Sequence, residues 1–157
     1  MKFLISGTVF VVGALTALSL FTAGLFFNQY EIFKPAYDFL HSAARASVVE
    51  EIIKYSAVLV LIPLIRIKPV NIPFIGIGFG FTEAIVRLIE EGNARIKPFW
   101  AHIILGLVMA LFFYLASKTA RPVARFLYYG FALIFPVALH LLYNLVVSGL
   151  LHANSIL

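Results

Sequence analysis

Residues 99–117 read FWAHIILGLVMALFFYLAS, and this stretch decides the fold class. It contains no Asp, Glu, Lys or Arg. A helix rises about 1.5 Å per residue, so about 20 apolar residues are enough to cross a hydrocarbon core ~30 Å thick. The stretch is therefore predicted to be a membrane-spanning helix.

The composition of the whole chain is also that of a membrane protein. Of its 157 residues, 62% are hydrophobic and 12% are charged, and the mean hydropathy is +1.02. A soluble domain has about 25% charged residues, so this chain has too few polar side chains to cover a soluble globule. The net charge of +5 then indicates contact with anionic lipid headgroups rather than with nucleic acid. The lack of cysteine excludes disulfides, a thiolate nucleophile and Cys-ligated metals.

Four other segments have the length and apolarity of membrane spans. They lie at residues 3–27, 48–65, 70–89 and 126–151. The first apolar run is too long for a usual cleaved signal peptide and is interpreted as a helix. The connections between the later segments are short, charged and proline-bearing, so neighbouring helices are expected to be antiparallel.

The sequence thus predicts an all-α, polytopic integral membrane bundle of about five transmembrane helices. Residues 1–157 are expected to form one domain, with helix 1 at 3–27 and a motif-bearing core at 48–151. Part of the polar stretch 28–47 is expected to lie along the membrane interface as an amphipathic helix. Pro136 is expected to kink the fifth helix. The expected location is a prokaryotic cell membrane, in a multi-pass arrangement.

Several polar residues interrupt the apolar segments. An ionisable group inside a membrane costs several kcal/mol and is by default a hypothesis about function. The candidates are Glu50, Glu51, Lys54, Glu83, Arg87, His102, His140 and Asn144. In antiparallel helices rising about 1.5 Å per residue, all of them fall in the same half of the membrane. This common depth favours a shared, water-accessible pocket.

Each candidate also has a purely structural explanation. Acids are stabilised at a helix start, charges spaced i, i+4 form surface ion pairs, and polar side chains clamp membrane helices together. These explanations apply to Glu50 with Glu51, to Glu83 with Arg87, and to His140 with Asn144. His102 would be an interfacial residue, and Lys54 would pair with Glu50 or extend toward the interface.

The segment 76–80, GIGFG, is predicted to serve packing. It is not a dinucleotide-binding fingerprint, since GxGxxG would need glycine at Phe81 and no βαβ context surrounds it. Gly76 and Gly80 form a GxxxG pair, which allows two membrane helices to approach closely.

The polar residues leave two hydrolytic chemistries open. The sequence has a single aspartate, no GxSxG and no HExxH, which disfavours an aspartyl dyad, a serine hydrolase and the usual zinc-protease helix. A carboxylate could act as general base toward water, with histidine and asparagine stabilising an oxyanion. Alternatively, His102, His140 and a glutamate would suit a divalent metal.

Four segments together resemble the motifs of PrsW-type intramembrane proteases. Residues 49–55, VEEIIKY, look like the EExxK motif, and residues 76–83, GIGFGFTE, look like the GxGF(A/G)xxE motif. His102 and residues 140–144, HLLYN, are similar to a later histidine and an HxxxN motif. The likeness covers about residues 48–150 and extends to the wider superfamily of CAAX-prenyl endoproteases and their bacterial CPBP relatives.

The resemblance implies roles for these residues. Glu50 would activate water, and Glu51 would assist it or hold Lys54. His102 would position the water or the scissile carbonyl, and His140 with Asn144 would stabilise the oxyanion. Glu83 would support the site, with Lys54 and Arg87 beside it.

The resemblance also implies partners and cofactors. PrsW-type members are associated with cleaving membrane-anchored anti-sigma factors, so the expected partners are a membrane-anchored protein or peptide substrate and the lipid bilayer, without nucleic acid. The glutamate mechanism needs no cofactor. Ala84 and Arg87 depart from the PrsW pattern, and the single-glutamate motif is also similar to YhfC-like relatives, described as intramembrane metalloproteases.

The sequence therefore predicts an intramembrane endopeptidase of the glutamate type. One alternative is a metal-dependent protease in which His102, His140 and Glu50 bind a divalent metal such as zinc. The other is a non-enzymatic membrane protein, such as a proton-coupled transporter or a scaffold, that uses the acids and histidines as a proton relay.

Overall fold

The computed structural model of the chain describes residues 2–29, 39–92 and 96–154. They form five α-helices: α1 (Lys2–Gln29), α2 (Phe39–Ile65), α3 (Pro73–Glu91), α4 (Ile96–Lys118) and α5 (Pro122–Asn154). A short 3-10 turn, Pro69–Asn71, precedes α3, and there is no β-strand in the described ranges. The predicted all-α class is confirmed.

Four of the five helices are long and apolar enough to cross a membrane. The spans are Phe3–Thr22, Pro69–Ile89, Pro98–Lys118 and Pro122–Val147. The predicted multi-pass membrane architecture is thus supported by four helices. The remaining helix, α2, is long enough to cross a membrane, but its apolar half contains Glu50, Glu51 and Lys54. A fifth span formed by α2 therefore stays a prediction.

The second helix extends beyond the predicted span at 48–65 toward the N-terminus. Helix α2 begins at Phe39 rather than near Val48, so Glu50 lies eleven residues into the helix (50 minus 39). The proposed helix-start explanation for Glu50 and Glu51 therefore does not apply. Residues 39–47 of the expected interfacial stretch belong to α2, and residues 30–38 lie outside the described part of the chain.

Local sequence explains how the ends of α3 form. Pro73 occupies the first turn, where a missing backbone N–H costs no hydrogen bond. The helix ends at Gly92, whose φ of 68° is left-handed and favours glycine. Helix α5 continues through the buried Pro136, and the predicted kink there stays a prediction.

The helices close into a ring. Helix α3 packs between α1 and α4, α5 packs between α4 and α2, and α2 contacts α1. Helix α1, which the sequence placed outside the motif-bearing core, thus completes the bundle. The ring gives α2, α3, α4 and α5 a common interior.

The glycines of α3 set its distance from two neighbours. A methyl group on Gly76 would run into the backbone carbonyl oxygen of His102 on α4, and one on Gly78 into that of Phe10 on α1. On Gly80 it would lie 3.0 Å from the Cα of Phe99. The predicted packing role of Gly76 and Gly80 is confirmed, and Gly78 performs the same role toward α1.

The interior has an apolar part and a polar part. The apolar part is a cluster of buried side chains that includes Val58, Ile75, Met109, Phe113 and Ala132. On each helix, these apolar residues and the polar residues of that helix occupy separate stretches. The apolar cluster holds the bundle together, and the polar groups gather at the opposite end of the interior.

Candidate active site

Five ionisable residues in the described part of this interior are almost completely buried. Their exposed fractions are 1% for Glu51, 2% for Lys54, 8% for Glu83, 1% for His102 and 4% for His140. They come from four different helices, α2, α3, α4 and α5. Burying charged groups is favourable only when they are paired and hydrogen-bonded, and their contacts show that they are.

Glu51 is the centre of the first group of contacts. Its Oε1 accepts a hydrogen bond from Nδ1–H of His140 at 2.8 Å and also pairs with the ammonium of Lys54. Lys54 therefore pairs with Glu51 and not, as one alternative had it, with Glu50. A carboxylate that accepts from Nδ1–H fixes the orientation of an imidazole and leaves its Nε2 as the acceptor.

His102 is the centre of the second group. Its Nδ1 lies 3.0 Å from the Lys54 ammonium, and its Nε2 lies 2.7 Å from Oε2 of Glu83. Oε1 of Glu83 accepts from Nε of Arg87 at 3.0 Å. The expected Glu83–Arg87 ion pair is present, but Glu83 also contacts the histidine. Because only 1% of His102 is exposed, the interfacial explanation for this residue is wrong.

Glu50 lies between the two histidines. Its Oε2 is 3.8 Å from Nε2 of His102 and 3.9 Å from Nε2 of His140. This oxygen is buried and has no hydrogen-bond partner among the described residues. The two imidazole rings meet edge to face, with centroids 5.2 Å apart. Glu50 is also the most exposed of the three carboxylates, with 24% of its side chain accessible, against 10% for Glu83 and 1% for Glu51.

Asn144 joins α5 to α2. Its Nδ2 donates to Oγ of Ser47 at 3.0 Å. The bonded residues have the same spacing on both helices, four positions between Ser47 and Glu51 on α2 and four between His140 and Asn144 on α5. Two neighbouring hydrogen bonds, Glu51 with His140 and Ser47 with Asn144, therefore join the two helices. The helix–helix clamp considered for His140 and Asn144 is therefore present, and the oxyanion role of Asn144 stays a prediction.

Two residues of the site were not singled out from the sequence. Ser47 receives the Asn144 bond, and Phe79 packs against His102 with ring centroids 4.8 Å apart. The Lys54 ammonium also lies 4.6 Å from the centroid of the Phe79 ring, a cation–π distance. Both residues stand four positions before a predicted site glutamate, on the same helix face. That spacing was the available signal.

The spacing of Glu50, His102 and His140 is close to that of a metal site. Each can offer one ligand atom, and the three atoms lie within 4.8 Å of one another. Tetrahedral zinc with ligands at about 2.0–2.1 Å places them roughly 3.4 Å apart, slightly less than the 3.8 and 3.9 Å observed. Both distances from Glu50 would have to shorten by about half an ångström. Nε2 of His102 also lies 2.7 Å from Oε2 of Glu83, a contact that a metal bound to this nitrogen would have to displace.

Comparisons of the chain with models of known families, with curated proteins and with solved structures found no match. The relation to PrsW-type proteases therefore rests on the four motifs alone and stays a prediction. The contacts among acids and histidines are independent of that relation.

Proposed function

We propose that this protein is an intramembrane endopeptidase of the glutamate, PrsW-like type, and that Glu50 is its general base. The observation that carries the proposal is the position of Glu50 Oε2, which is buried, unbonded among the described residues and within 4 Å of two imidazole nitrogens. Each of the other two site carboxylates already bonds a histidine and a cation.

The distances suit activation of a water molecule. Hydrogen bonds to water are about 2.8 Å long, so two acceptors 3.9 Å apart can both bond one water. Glu50 Oε2 and the Nε2 lone pair of His140 are such a pair. A base within one hydrogen bond of the proton it removes is the geometric requirement for general-base catalysis.

The proposed reaction balances with these residues alone. Glu50 removes a proton from water while the water oxygen forms a bond to the peptide carbonyl carbon. The tetrahedral intermediate then collapses, the C–N bond breaks, and Glu50 returns the proton to the leaving amine. His140 orients the water, because its own N–H is directed to Glu51.

The substrate class follows from the surroundings of the site. Four helices are long and apolar enough to span a membrane, and the polar cluster lies inside their bundle. A peptide bond that reaches Glu50 therefore belongs to a membrane-embedded or membrane-anchored segment.

The test is hydrolysis by the full chain, reconstituted in lipid nanodiscs, of a panel of fluorogenic membrane-anchored peptides. Glu50→Gln removes the base and should lower turnover at least 100-fold, since general acid–base catalysis contributes about 10²–10⁴-fold. The matched control is Glu90→Gln, placed seven residues beyond Glu83 on α3 and so about 10 Å away along the helix axis. Its turnover should equal that of the wild type.

Two outcomes would overturn this proposal. Full activity of Glu50→Gln would remove Glu50 from the reaction. Loss of activity on chelation, restored by zinc, would replace the glutamate mechanism by the metal-dependent one; under the glutamate mechanism a chelator leaves turnover unchanged.

A further inference from the structure

Lys54 connects the two histidines of the site. It contacts His102 directly and reaches His140 through Glu51. Its ammonium pairs with Glu51, which accepts from His140, and lies 3.0 Å from Nδ1 of His102. It also lies over the ring of Phe79. Only 2% of the residue is exposed, so its contacts are with protein and not with bulk water.

We propose that Lys54 is a positioning residue that holds the proton of His102 on Nε2 and so prevents the Glu50–His102–His140 cluster from binding a divalent metal. This inference deepens the proposed function, since it selects the metal-free version of the site. It rests on the hydrogen-bond chemistry of Lys54 and not on any measured hydrolysis.

The first step is the tautomer of His102. An ammonium has three donors and no acceptor, so the nitrogen that faces it, Nδ1, accepts. A neutral imidazole that accepts at one nitrogen carries its proton on the other. Nε2–H then donates to Glu83, which agrees with the 2.7 Å distance between them. Lys54 and Glu83 thus fix the same tautomer from opposite sides of the ring.

The second step is the contrast with His140. Its Nδ1 faces a carboxylate, so the proton is on Nδ1 and the lone pair is on Nε2. The two histidines therefore differ at the nitrogen nearest Glu50: Nε2 of His102 carries a proton that is donated to Glu83, and Nε2 of His140 carries a lone pair.

The third step is the consequence for metals. A metal binds a histidine nitrogen through its lone pair, and Nε2 of His102 is the nitrogen near Glu50. Freeing that lone pair would move the proton to Nδ1, where its N–H would oppose the donors of Lys54. The fixed positive charge would also repel the metal. With Lys54 in place, the cluster offers two ligands instead of three.

The tautomers can be measured by nuclear magnetic resonance on the full chain labelled with 15N-histidine in lipid nanodiscs. Correlations between the ring carbon protons and ring nitrogens separate protonated from unprotonated nitrogens. Variants His102→Gln and His140→Gln assign the signals. The proposal expects Nε2–H for His102 and Nδ1–H for His140 in the wild type.

Two substitutions of Lys54 then separate its donors from its bulk. Lys54→Met has similar length and no donor, whereas Lys54→Arg keeps a cation that only donates. In the methionine variant nothing opposes a proton on Nδ1 of His102, so an Nδ1–H population should appear beside the Nε2–H population that Glu83 still holds. The arginine variant should show Nε2–H alone. The exposed Lys68, changed to methionine, is the control and should leave both histidines as in the wild type.

Zinc binding gives an independent measurement, with zinc titrated against a competing chelator. Lys54→Met should bind at least tenfold more tightly than the wild type. Adding His102→Gln should abolish the gain, which separates this site from zinc binding elsewhere on the chain. Lys54→Arg and Lys68→Met should bind as the wild type does.

The inference is overturned if wild-type His102 carries its proton on Nδ1, or if the wild type and Lys54→Met bind zinc equally. Should Lys54→Met fail to fold, the tautomer of His102 in the wild type and in Lys54→Arg still tests the proposal. None of these measurements involves hydrolysis. A chain that cleaves no peptide would therefore refute the proposed function and leave this inference standing, and a wrong tautomer would do the reverse.

Discussion

The contact between α3 and α4 at Gly76 leads to a graded test of how the site is positioned. The perturbation is Gly76→Ala. The added methyl group would run into the carbonyl oxygen of His102, with the carbonyl carbon at 3.1 Å. Both are backbone atoms, so no side-chain rotation can relieve the overlap, and α4 must move away from α3.

The size of the effect follows from the size of the overlap. On Gly80 a methyl group lies 3.0 Å from Cα of Phe99 and 3.2 Å from Cβ of His102, so a shift of a few tenths of an ångström is enough. On Gly76 the required shift is about 1 Å, taking about 3.4 Å as an ordinary contact. Overpacking costs about 1–3 kcal/mol, and we place Gly76→Ala at about 2–3 kcal/mol and Gly80→Ala below about 1 kcal/mol.

The matched control is Gly130→Ala on α5. No atom lies within 4 Å of its added methyl group. Alanine in a helix is more favourable than glycine by roughly 0.5–1 kcal/mol, so this variant should be slightly more stable than the wild type.

Thermal unfolding in detergent, followed by circular dichroism, measures the series. At about 2–4 °C per kcal/mol for a chain of this size, Gly76→Ala should lower Tm by roughly 4–12 °C and Gly130→Ala should not lower it. Because the contact is with His102 itself, turnover should fall as well, and a displacement of about 1 Å can cost on the order of 100-fold. Gly76→Ala with the Tm and turnover of Gly130→Ala would show that close packing at Gly76 does not position the site.

Two further substitutions test the polar contacts. Glu83→Gln removes the negative charge that contacts both Nε2 of His102 and Arg87. The free energy of unfolding should fall by about 1.5–3 kcal/mol, the value of hydrogen bonds to charged groups. An unchanged unfolding midpoint would mean that these contacts contribute no stability. Asn71→Ala removes two 3.1 Å bonds, the one that Nδ2 donates to Oγ of Ser6 and the one that Oδ1 accepts from the backbone N–H of Lys68. At about 0.5–1.5 kcal/mol for each bond, it should cost about 1–3 kcal/mol without changing turnover. A large loss of turnover in Asn71→Ala would instead couple α1 to the site.

Much of the fold is set by local sequence. Residues 99–117 are a helix because an apolar segment of that length has to satisfy its backbone hydrogen bonds internally in a membrane. The ends of α3 follow from Pro73 and Gly92 in the same local way. The start of α2 was missed because Phe39–Ser47 lacks an apolar run, and its helix is not marked by hydrophobicity.

The site could be predicted only as a set of residues. Their common depth follows from the helix rise and the antiparallel order, and the contacts agree with it. Their partners were not predictable, because a contact such as Glu51 with His140 joins residues far apart in the chain and depends on how each helix is rotated about its axis. Ser47 and Phe79 were missed for the same reason, since nothing in a serine or a phenylalanine alone marks it as part of a polar cluster.

The sequence by itself determined that this protein is a bundle of helices with acids and histidines inside an apolar chain. The resemblance assigned different roles to Glu50 and Glu51, but the residues alone did not, since adjacent residues on a helix point about 100° apart and either can face the interior. Only the packing of α2 against α5 decided it. Glu51 is bonded to Lys54 and His140, and Glu50 is left with its carboxylate beside both imidazoles, because the rotation of a helix is fixed by its neighbours and not by its own residues.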